Sequence, residues 1–290
     1  MSLRQTKLRP FPMGTSIGSV NVSAGTAGCL VRRNSDGKLC VLSNYHVVKN
    51  GDDILQQAKF DGGWFPDCKV GTSFGLYIPS SGGKIDAGLV LLDNEDLVRS
   101  EILDIGIPTG INTNLVVGMK VKKSGRTTDY QEGVLMDADA VLQIDYGSEG
   151  IKTLEDLLLY SPNISQGGDS GSAILDADNK VIGLNFAGSD QNAVGCKIQN
   201  VIDALGITIV TESIGGKKYK PVDATITFKM VPQANPLPPP EEGIPVLTAL
   251  TDKAEYESGA KMIVSGSLRD QETNKGIAEK EIQVRSQGFA

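Results

Sequence analysis

The sequence of 290 residues has no apolar run that approaches the roughly 18 residues of a membrane-spanning helix, so no span is predicted. It also lacks a lysine- and arginine-rich cluster with interleaved aromatic residues. The net charge is −7 and the pI is about 4.9, which argues against a nucleic-acid partner. The first residues lack the charged-then-apolar pattern of a signal peptide, so the sequence leaves the cellular location open.

Histidine and cysteine are both scarce. His46 is the only histidine, and the cysteines are Cys29, Cys40, Cys68 and Cys196. They show neither C-x-x-C nor Cys/His spacing, so we expect no metal ion and no cofactor. Cys29 and Cys40 flank a predicted turn and could lie near each other on paired strands, but buried free thiols are the favoured interpretation. The redox environment therefore stays open.

Glycine is abundant, with 34 residues, whereas aromatic residues make up only 5% of the chain. Short apolar runs such as Lys38–Ser43, Asp86–Leu92 and Val181–Phe186 alternate with turn residues. This pattern favours a β-sandwich or β-barrel over alternating strands and helices. A short helix is predicted at Ile198–Leu205, because a glycine follows it, while Leu154–Tyr160 fits either helix or strand.

Residues 233–243 are acidic and rich in proline, which favours an extended linker. The following segment, residues 244–290, is about half as long as an immunoglobulin-like sandwich. Through Tyr256–Gly259 and the strand-like Met262–Leu268 it resembles part of a bacterial immunoglobulin-like repeat. Such a segment would bind a surface or protein partner outside the cell. The alternative is an appended pair of strands with no binding role.

His46 precedes a glycine-rich turn, Gly167–Ser172, that presents Ser170. A serine hydroxyl becomes a good nucleophile when a base takes its proton, and histidine suits this task because its pKa lies near neutrality. In α/β-hydrolases the histidine follows the serine and the turn reads G-x-S-x-G, and this chain meets neither condition. The order histidine, aspartate, serine is that of the double-barrel serine proteases.

The carboxylate of such a triad must lie between His46 and Ser170. Asp86 opens an apolar strand, which can carry it into a desolvated position, whereas Asp93 ends the same strand in a polar run and is expected to be solvated. A subtilisin-like order with Asp36 would need an α/β layout that the strand-rich pattern does not offer. We therefore predict His46 as general base, Asp86 as its orienting carboxylate and Ser170 as nucleophile.

The same turn can supply an oxyanion hole. Two backbone N–H groups must converge on the developing negative charge. The amides of Gly168 and Ser170 can do so, because Gly167 and Gly168 permit the unusual backbone angles that are required.

These segments resemble the trypsin-like (chymotrypsin-fold) serine proteases, in particular a bacterial and plant group with L-S-N-x-H-V, x-D-A-x-L and G-D-S-G-S. The similarity covers about residues 14–210, and Ser124–Gly133 also resembles the α-lytic protease segment S-G-R-T-T-G-Y-Q-C-G. It implies an all-β fold of two antiparallel six-stranded β-barrels with a short C-terminal helix. The barrels would span about residues 15–112 and 113–210 of a protease domain over residues 1–232.

The resemblance also implies an ion pair. In the α-lytic type the arginine of this segment pairs with the aspartate before the catalytic serine, which here implies a pair between Arg126 and Asp169. A counter-charge would stabilise a buried Asp169 beneath the oxyanion loop. Such a protease would fold active without cleavage of its N-terminus. The alternative is an exposed, unpaired Arg126.

The sequence departs from the family at several positions. Usual cysteines are replaced by Val47, Lys122 and Glu132, which weakens an extracellular assignment. Lys122 and Glu132 could instead face each other as an exposed ion pair, worth roughly 0–1 kcal/mol. The serine that commonly supports the catalytic aspartate falls at Phe186, so the surroundings of Asp86 are expected to differ.

The resemblance places substrate-binding residues at Ile164, Ser165, Phe186, Ala187 and Gly188. Ile164 would form the floor of the specificity pocket. An isoleucine cannot pair with a substrate lysine or arginine, so we predict small or apolar residues at P1, the substrate residue before the scissile bond.

The sequence thus predicts a serine endopeptidase that cleaves a protein or peptide substrate through an acyl-enzyme. A second hypothesis is a protease-like binding module with occluded or lost activity, tethered through residues 244–290. An esterase on a different fold is disfavoured by the chain order of histidine and serine.

Overall fold

The computed structural model describes residues 2–49, 51–77, 79–162 and 164–215, and the two short pairs 250–251 and 264–265. The chain divides into two units, Met1–Lys218 and Tyr219–Ala290. The predicted linker, residues 233–243, and nearly all of the predicted immunoglobulin-like segment, residues 244–290, lie outside the described residues.

Strands dominate the first unit. In chain order they are β1 (Phe11–Met13), β2 (Ser16–Ser19), β3 (Gly25–Thr26), β4 (Cys29–Arg33), β5 (Leu39–Ser43), β6 (Asp53–Leu55), β7 (Lys69–Tyr77), β8 (Ala87–Leu92), β9 (Val98–Ile102), β10 (Gly110–Ile111), β11 (Lys120–Gly125), β12 (Asp129–Asp145), β13 (Ile151–Ser161), β14 (Ala173–Leu175), β15 (Lys180–Gly188), β16 (Ala193–Lys197) and β17 (Ile207–Ile209). In the second unit, β18 (Leu250–Thr251) pairs antiparallel with β19 (Val264–Ser265).

Helices are few in the described residues. They are the single-turn α1 (Tyr45–Val48), α2 (Ile198–Leu205) and 3-10 turns at Leu3–Gln5, Lys59–Asp61, Glu95–Leu97 and Gly147–Glu149. The prediction of a helix at Ile198–Leu205 is confirmed, and Gly206 ends it in the left-handed conformation with φ of 60°. The ambiguous run Leu154–Tyr160 is part of strand β13.

The first sheet has eight strands in the order β17-β4-β5-β8-β7-β6-β2-β3, all paired antiparallel. Strand β17 reaches it from beyond α2 and pairs with β4, with Thr208 opposite Arg32. The two-residue strand β3 adds the other edge. These two additions make the sheet larger than the predicted six strands.

The second sheet has seven strands, of which six form a closed ring. Its order is β10-β15-β14-β11-β12-β13-β16, and β16 pairs with β15 as well as with β13. The additional strand β10 pairs parallel with β15 outside the ring. The fold is therefore mostly β with two curled sheets, in agreement with the predicted double barrel. Among the described residues, no helix is long and apolar enough to cross a bilayer.

One apolar core runs through both sheets. It includes Leu30 and Val41 from the first sheet, Leu157 and Leu184 from the second, and Val201 from α2. Because these side chains pack in one cluster, the two sheets are held in a fixed relation. That relation brings the end of β5 close to the turn that precedes β14.

The four cysteines are buried free thiols. In the pairing of β4 with β5, Cys29 lies opposite Leu42 and Cys40 lies opposite Val31, so the two thiols do not face each other. Burial raises the pKa of the Cys29 thiol to about 12 and is the main cause that raises the pKa of Cys40 to about 11.

Candidate active site

The pairing of β5 with β8 brings His46 and Asp86 together. The two strands are antiparallel, with Ser43 opposite Gly88, so the end of β5 lies beside the start of β8. His46 follows β5 in the one-turn helix α1, and Asp86 immediately precedes β8. The sequence prediction that a strand would carry Asp86 into the interior agrees with this arrangement.

The imidazole contacts a fully buried carboxylate. His46 Nδ1 lies 2.6 Å from Asp86 Oδ2, and the side chains are 28% and 0% exposed. A carboxylate only accepts, so Nδ1 carries the proton and the neutral imidazole keeps its lone pair on Nε2. The His46 backbone N–H also donates to Asp86 Oδ1 at 3.3 Å. Asp86 therefore fixes both the tautomer and the orientation of the ring.

The backbone of Asp86 is held separately. Asn44 Nδ2 donates to the Asp86 carbonyl at 2.6 Å, and the Asp86 N–H donates to Cys196 Sγ at 3.2 Å. Burial, and after it the charge of Asp86, raise the pKa of the Cys196 thiol. Cys196 therefore stays a neutral thiol beside the carboxylate.

The turn that presents Ser170 is anchored to the first sheet through β3. The Thr26 N–H donates to the Ser170 carbonyl at 2.8 Å, and Thr26 Oγ1 donates to the Gly168 carbonyl at 2.8 Å. Gly168 has φ of +97°, and a Cβ there would lie 2.6 Å from Thr127 Oγ1. Glycine is required at this position both for its backbone angle and for its lack of a side chain.

Along the turn, backbone N–H groups that donate a hydrogen bond alternate with N–H groups that do not. The Asp169 N–H donates to the Gln166 carbonyl at 2.9 Å, and the Gly171 N–H donates to the Asn185 carbonyl at 2.8 Å. Within the described part of the chain, the Gly168 and Ser170 amides donate to no acceptor. They are the two amides that the sequence assigned to an oxyanion hole.

The Ser170 hydroxyl bonds to strand β15 and not to the imidazole. Its Oγ donates to the Phe186 carbonyl at 3.4 Å, a long hydrogen bond. No hydrogen bond joins Ser170 to His46 in the residues that the structure describes. A rotation about the Cα–Cβ bond of Ser170 would reorient its hydroxyl.

The predicted ion pair between Arg126 and Asp169 is wrong. The partner of Asp169 is Lys123, whose Nζ lies 3.2 Å from Oδ2, and both side chains are fully buried. Asp169 also accepts from the Thr127 N–H at 2.8 Å and from Thr128 Oγ1 at 2.8 Å. Burial lowers the pKa of Lys123, against the opposing charge of Asp169.

Arg126 pairs instead with Asp61, which lies in the 3-10 turn Lys59–Asp61. Its Nε donates to Asp61 Oδ2 at 2.8 Å, its Nη2 bonds to Oδ1, and both residues are buried. The guanidinium also lies over the Phe60 ring, 5.2 Å from the centroid. The physical reason for the error is position: Lys123 lies inside β11, whereas Arg126 follows it and reaches the first sheet.

Lys122 and Glu132 lie opposite each other in the pairing of β11 with β12, but no ion pair joins them in the described part of the chain. Lys122 Nζ donates to the Ala177 carbonyl at 3.1 Å, and Glu132 accepts from the Tyr130 hydroxyl. Each side chain has a nearer partner.

A cleft of about 670 Å³ opens beside the imidazole. It is lined by His46, Leu142, Gln143, Ile144, Asp145, Tyr146, Leu159, Phe186, Ala187, Gly188, Ser189, Asn192 and Val194. Three of the predicted substrate-binding residues, Phe186, Ala187 and Gly188, thus lie in one cleft with His46. Ile164 and Ser165 do not line it: Ile164 is buried in a core cluster, and Ser165 Oγ accepts from Asn185 Nδ2 at 2.9 Å.

Three functional candidates escaped sequence reasoning: Lys123, Asp61 and Tyr146. No motif marked them, because Lys123 contacts its partner from inside strand β11, Asp61 from a 3-10 turn, and Tyr146 from the tip of a long hairpin. The described residues contain no cluster of three or more histidine, cysteine, aspartate or glutamate side chains that could hold a metal ion.

Solved structures match the fold over most of the chain. Protease A from Thermobifida fusca is 21% identical, with a TM-score of 0.54, and the match covers 70% of this chain and 99% of that one. The chymotrypsin of Cellulomonas bogoriensis is 20% identical, with a TM-score of 0.52, covering 70% and 100%. An α-lytic protease homologue, N4, is 20% identical, with a TM-score of 0.52, covering 68% and 98%.

No protein-family model and no curated protein matches the sequence. The structural matches establish that the chain has the fold of the bacterial chymotrypsin-like serine proteases.

Proposed function

We propose that the protein is a serine endopeptidase with His46 as general base, Asp86 as its orienting carboxylate and Ser170 as nucleophile. The observation that carries this proposal is the 2.6 Å contact between His46 Nδ1 and the fully buried Asp86 carboxylate. In the neutral imidazole this contact places the proton on Nδ1, so that the lone pair of Nε2 faces away from Asp86, as a general base requires.

Catalysis would begin when Ser170 leaves the Phe186 carbonyl and turns to His46. Nε2 takes the hydroxyl proton while Oγ attacks the peptide carbonyl, and Asp86 stabilises the imidazolium that forms. His46 then gives the proton to the leaving amine, which produces an acyl-enzyme. Water then attacks the acyl-enzyme: His46 takes a proton from the water and afterwards gives it to the Ser170 oxygen, which releases the product acid and restores the serine.

The free amides of Gly168 and Ser170 would receive the charge of each tetrahedral intermediate. Donors of this kind accelerate acyl transfer because they are already oriented before the charge appears. The loss of one such donor typically costs about 10²–10³ in kcat. The buried pair of Lys123 and Asp169 supports the proposal, because it holds the turn in place without a cleaved N-terminus.

For specificity, we keep the proposal of small or apolar P1 residues. The cleft beside His46 is lined by apolar side chains such as Leu142, Ile144 and Val194, which suit an apolar peptide segment. A peptide library incubated with the wild type should be cut after small or apolar residues. Rapid cleavage after arginine or lysine would contradict this preference.

The proposed activity is tested with a peptidyl phosphonate that labels activated serines. Labelling of the wild type should be lost in Ser170→Ala and kept in Ser35→Ala, which removes an exposed hydroxyl in the turn after β4. Mass spectrometry of the labelled peptide should locate the adduct at Ser170. A folded wild type that stays unlabelled would contradict the proposal.

The alternative is a protease-like binding module with occluded or lost activity. It is favoured by one observation: the Ser170 hydroxyl bonds to the Phe186 carbonyl and not to His46. An unlabelled wild type that still binds library peptides in the cleft would support this alternative over the protease.

A further inference from the structure

The Asp86 carboxylate has few donors for a buried charge. Its two oxygens accept only from the ring and the backbone N–H of His46, among hydrogen bonds of ordinary geometry in the described chain. A carboxylate can accept about four hydrogen bonds, and a buried one is costly when acceptor positions remain empty. The position where a serine would support it is occupied by Phe186.

A long hairpin from the second sheet reaches the strand ends that carry His46 and Asp86. Strands β12 and β13 run out to the 3-10 turn Gly147–Glu149. Lys49 Nζ lies 2.6 Å from Glu149 Oε1, which joins the hairpin tip to the end of α1.

The same hairpin bonds to the backbone shortly before Asp86. The Gly82 N–H donates to the Thr153 carbonyl at 2.8 Å, and the Glu155 N–H donates to the Gly83 carbonyl at 3.0 Å. The hairpin is therefore fixed on both sides of the pair of His46 and Asp86.

Tyr146, at the end of β12, points from this hairpin toward the pair. Its ring meets the His46 ring edge to face, with centroids 6.3 Å apart and an interplanar angle of 67°. Its hydroxyl oxygen is buried and makes no hydrogen bond of ordinary geometry within the described residues. Burial, and next the charge of Asp86, raise the pKa of Tyr146, so the phenol stays protonated and remains a donor.

We propose that Tyr146 is the positioning residue of this site: its hydroxyl donates to the Asp86 carboxylate while its ring packs against the edge of the imidazole. It thereby does from the hairpin what a serine at position 186 would do from strand β15. The proposed contact does not require that the protein be a protease, and only its catalytic consequence rests on the proposed function.

The hydroxyl should lower the pKa of His46. A donor to Asp86 withdraws part of the negative charge that stabilises the imidazolium. The other groups that face the pair are the Cys196 thiol from β16, the Asn44 amide from the end of β5, and the ion pair of Lys49 with Glu149. Tyr146→Phe leaves all of these in place and removes only the hydroxyl.

The test uses the single histidine of the chain as its own reporter. Nuclear magnetic resonance titration of the His46 ring nitrogens is performed on the full chain with Ser170→Ala, which prevents self-digestion. Adding Tyr146→Phe should raise the His46 pKa. The control Tyr130→Phe also removes a tyrosine hydroxyl. Tyr130 lies where β12 pairs with β11 and its hydroxyl bonds to Glu132, so this variant should leave the His46 pKa unchanged. An unchanged or lowered pKa in Tyr146→Phe, or an equal rise in Tyr130→Phe, would overturn the proposal.

Kinetics with Ser170 restored give the second measurement. Tyr146→Phe should lower kcat about tenfold with KM within about twofold, and should move the acidic limb of the rate profile upward in pH. A titration shift in a protein that no phosphonate labels would contradict the protease and leave the contact intact. Labelling with no titration shift would contradict the contact and leave the protease intact.

Discussion

Asp86 and Asp169 are both fully buried carboxylates, yet their surroundings are opposite. Asp169 faces the Lys123 ammonium and accepts from the Thr127, Thr128 and Gln166 amides as well as from a hydroxyl. Among the described residues, the Asp86 carboxylate accepts hydrogen bonds of ordinary geometry only from His46, which is partly exposed.

The difference in hydrogen-bond donors indicates different roles for the two aspartates. A carboxylate whose acceptor positions are all filled by fixed donors is held in one conformation. A carboxylate whose main partner can gain and lose a proton can follow a change of charge during a reaction. The comparison therefore predicts that Asp86 affects rate and Asp169 affects stability.

The largest expected effect is on the rate of Asp86→Asn. The amide can donate to Nδ1 and so favours the wrong imidazole tautomer, which should lower kcat by about 10⁴ while the fold survives. Peptide hydrolysis and urea unfolding of the same preparation check both parts. Asp93→Asn, at the far end of β8, is the matched control and should keep its rate. Equal loss in the two variants would remove the distinction between these aspartates.

The next effect is on the stability of Asp169→Ala. Removing the carboxylate leaves the Lys123 ammonium buried without a counter-charge, which should lower the free energy of unfolding by about 3–5 kcal/mol. Urea unfolding measures the loss. The double variant Lys123→Met with Asp169→Asn removes both charges and should recover most of it. A double variant as unstable as the single one would show that charge is not the cause.

The pH dependence of stability should sharpen the contrast. Burial holds the pKa of Lys123 in the folded chain below its usual 10.5. At a pH between the folded-state pKa and 10.5, the lysine is protonated in the unfolded chain and largely neutral in the folded one, so the unfolded chain binds more protons. Stability gained from this group therefore rises with pH in that window. Urea unfolding from about pH 8 to 10 should show the wild type gaining relative to Lys123→Met. Parallel curves would contradict a buried, titrating lysine.

The smallest effect is expected at the hairpin tip. Glu149→Gln removes the partner of Lys49, and both side chains are about one-third exposed. A pair of this kind contributes roughly 0–1 kcal/mol and is weakened by salt. Thermal unfolding should change by a few degrees at most and should converge with the wild type at high salt. A large loss would mean that the tip supports Asp86 more than its exposure suggests.

Sequence reasoning located what local patterns determine. His46 and Asp86 each flank an apolar strand, so their positions at strand ends could be inferred, and neighbouring strands then brought them together. The resemblance, and not a local pattern, places Phe186, Ala187 and Gly188 at the substrate, and the structure has them in the cleft with His46. Chain order and the glycine-rich turn are the grounds on which the sequence predicts Ser170 as nucleophile, and that role stays a prediction.

What could not be inferred depends on distant partners. The segment Ser124–Gly133 is predicted to support Asp169 through Arg126, but the cation beside Asp169 is Lys123, which lies in β11 just before that segment. Arg126 follows β11 and reaches Asp61 instead. Asp61 and Tyr146 meet their partners only through the three-dimensional arrangement of the 3-10 turn and the hairpin. Their positions in the sequence do not predict these contacts.

Strand β17 also governs the order in which the chain can mature. Until Ile207–Ile209 leaves the ribosome, β4 is an open edge, and such edges invite pairing with other chains. At about 5–20 residues per second, the roughly 170 residues between them take on the order of ten to thirty seconds to synthesise. The first sheet is thus translated early, but its β4 edge is covered late, by the short strand β17, and until then that edge is open to pairing with other chains.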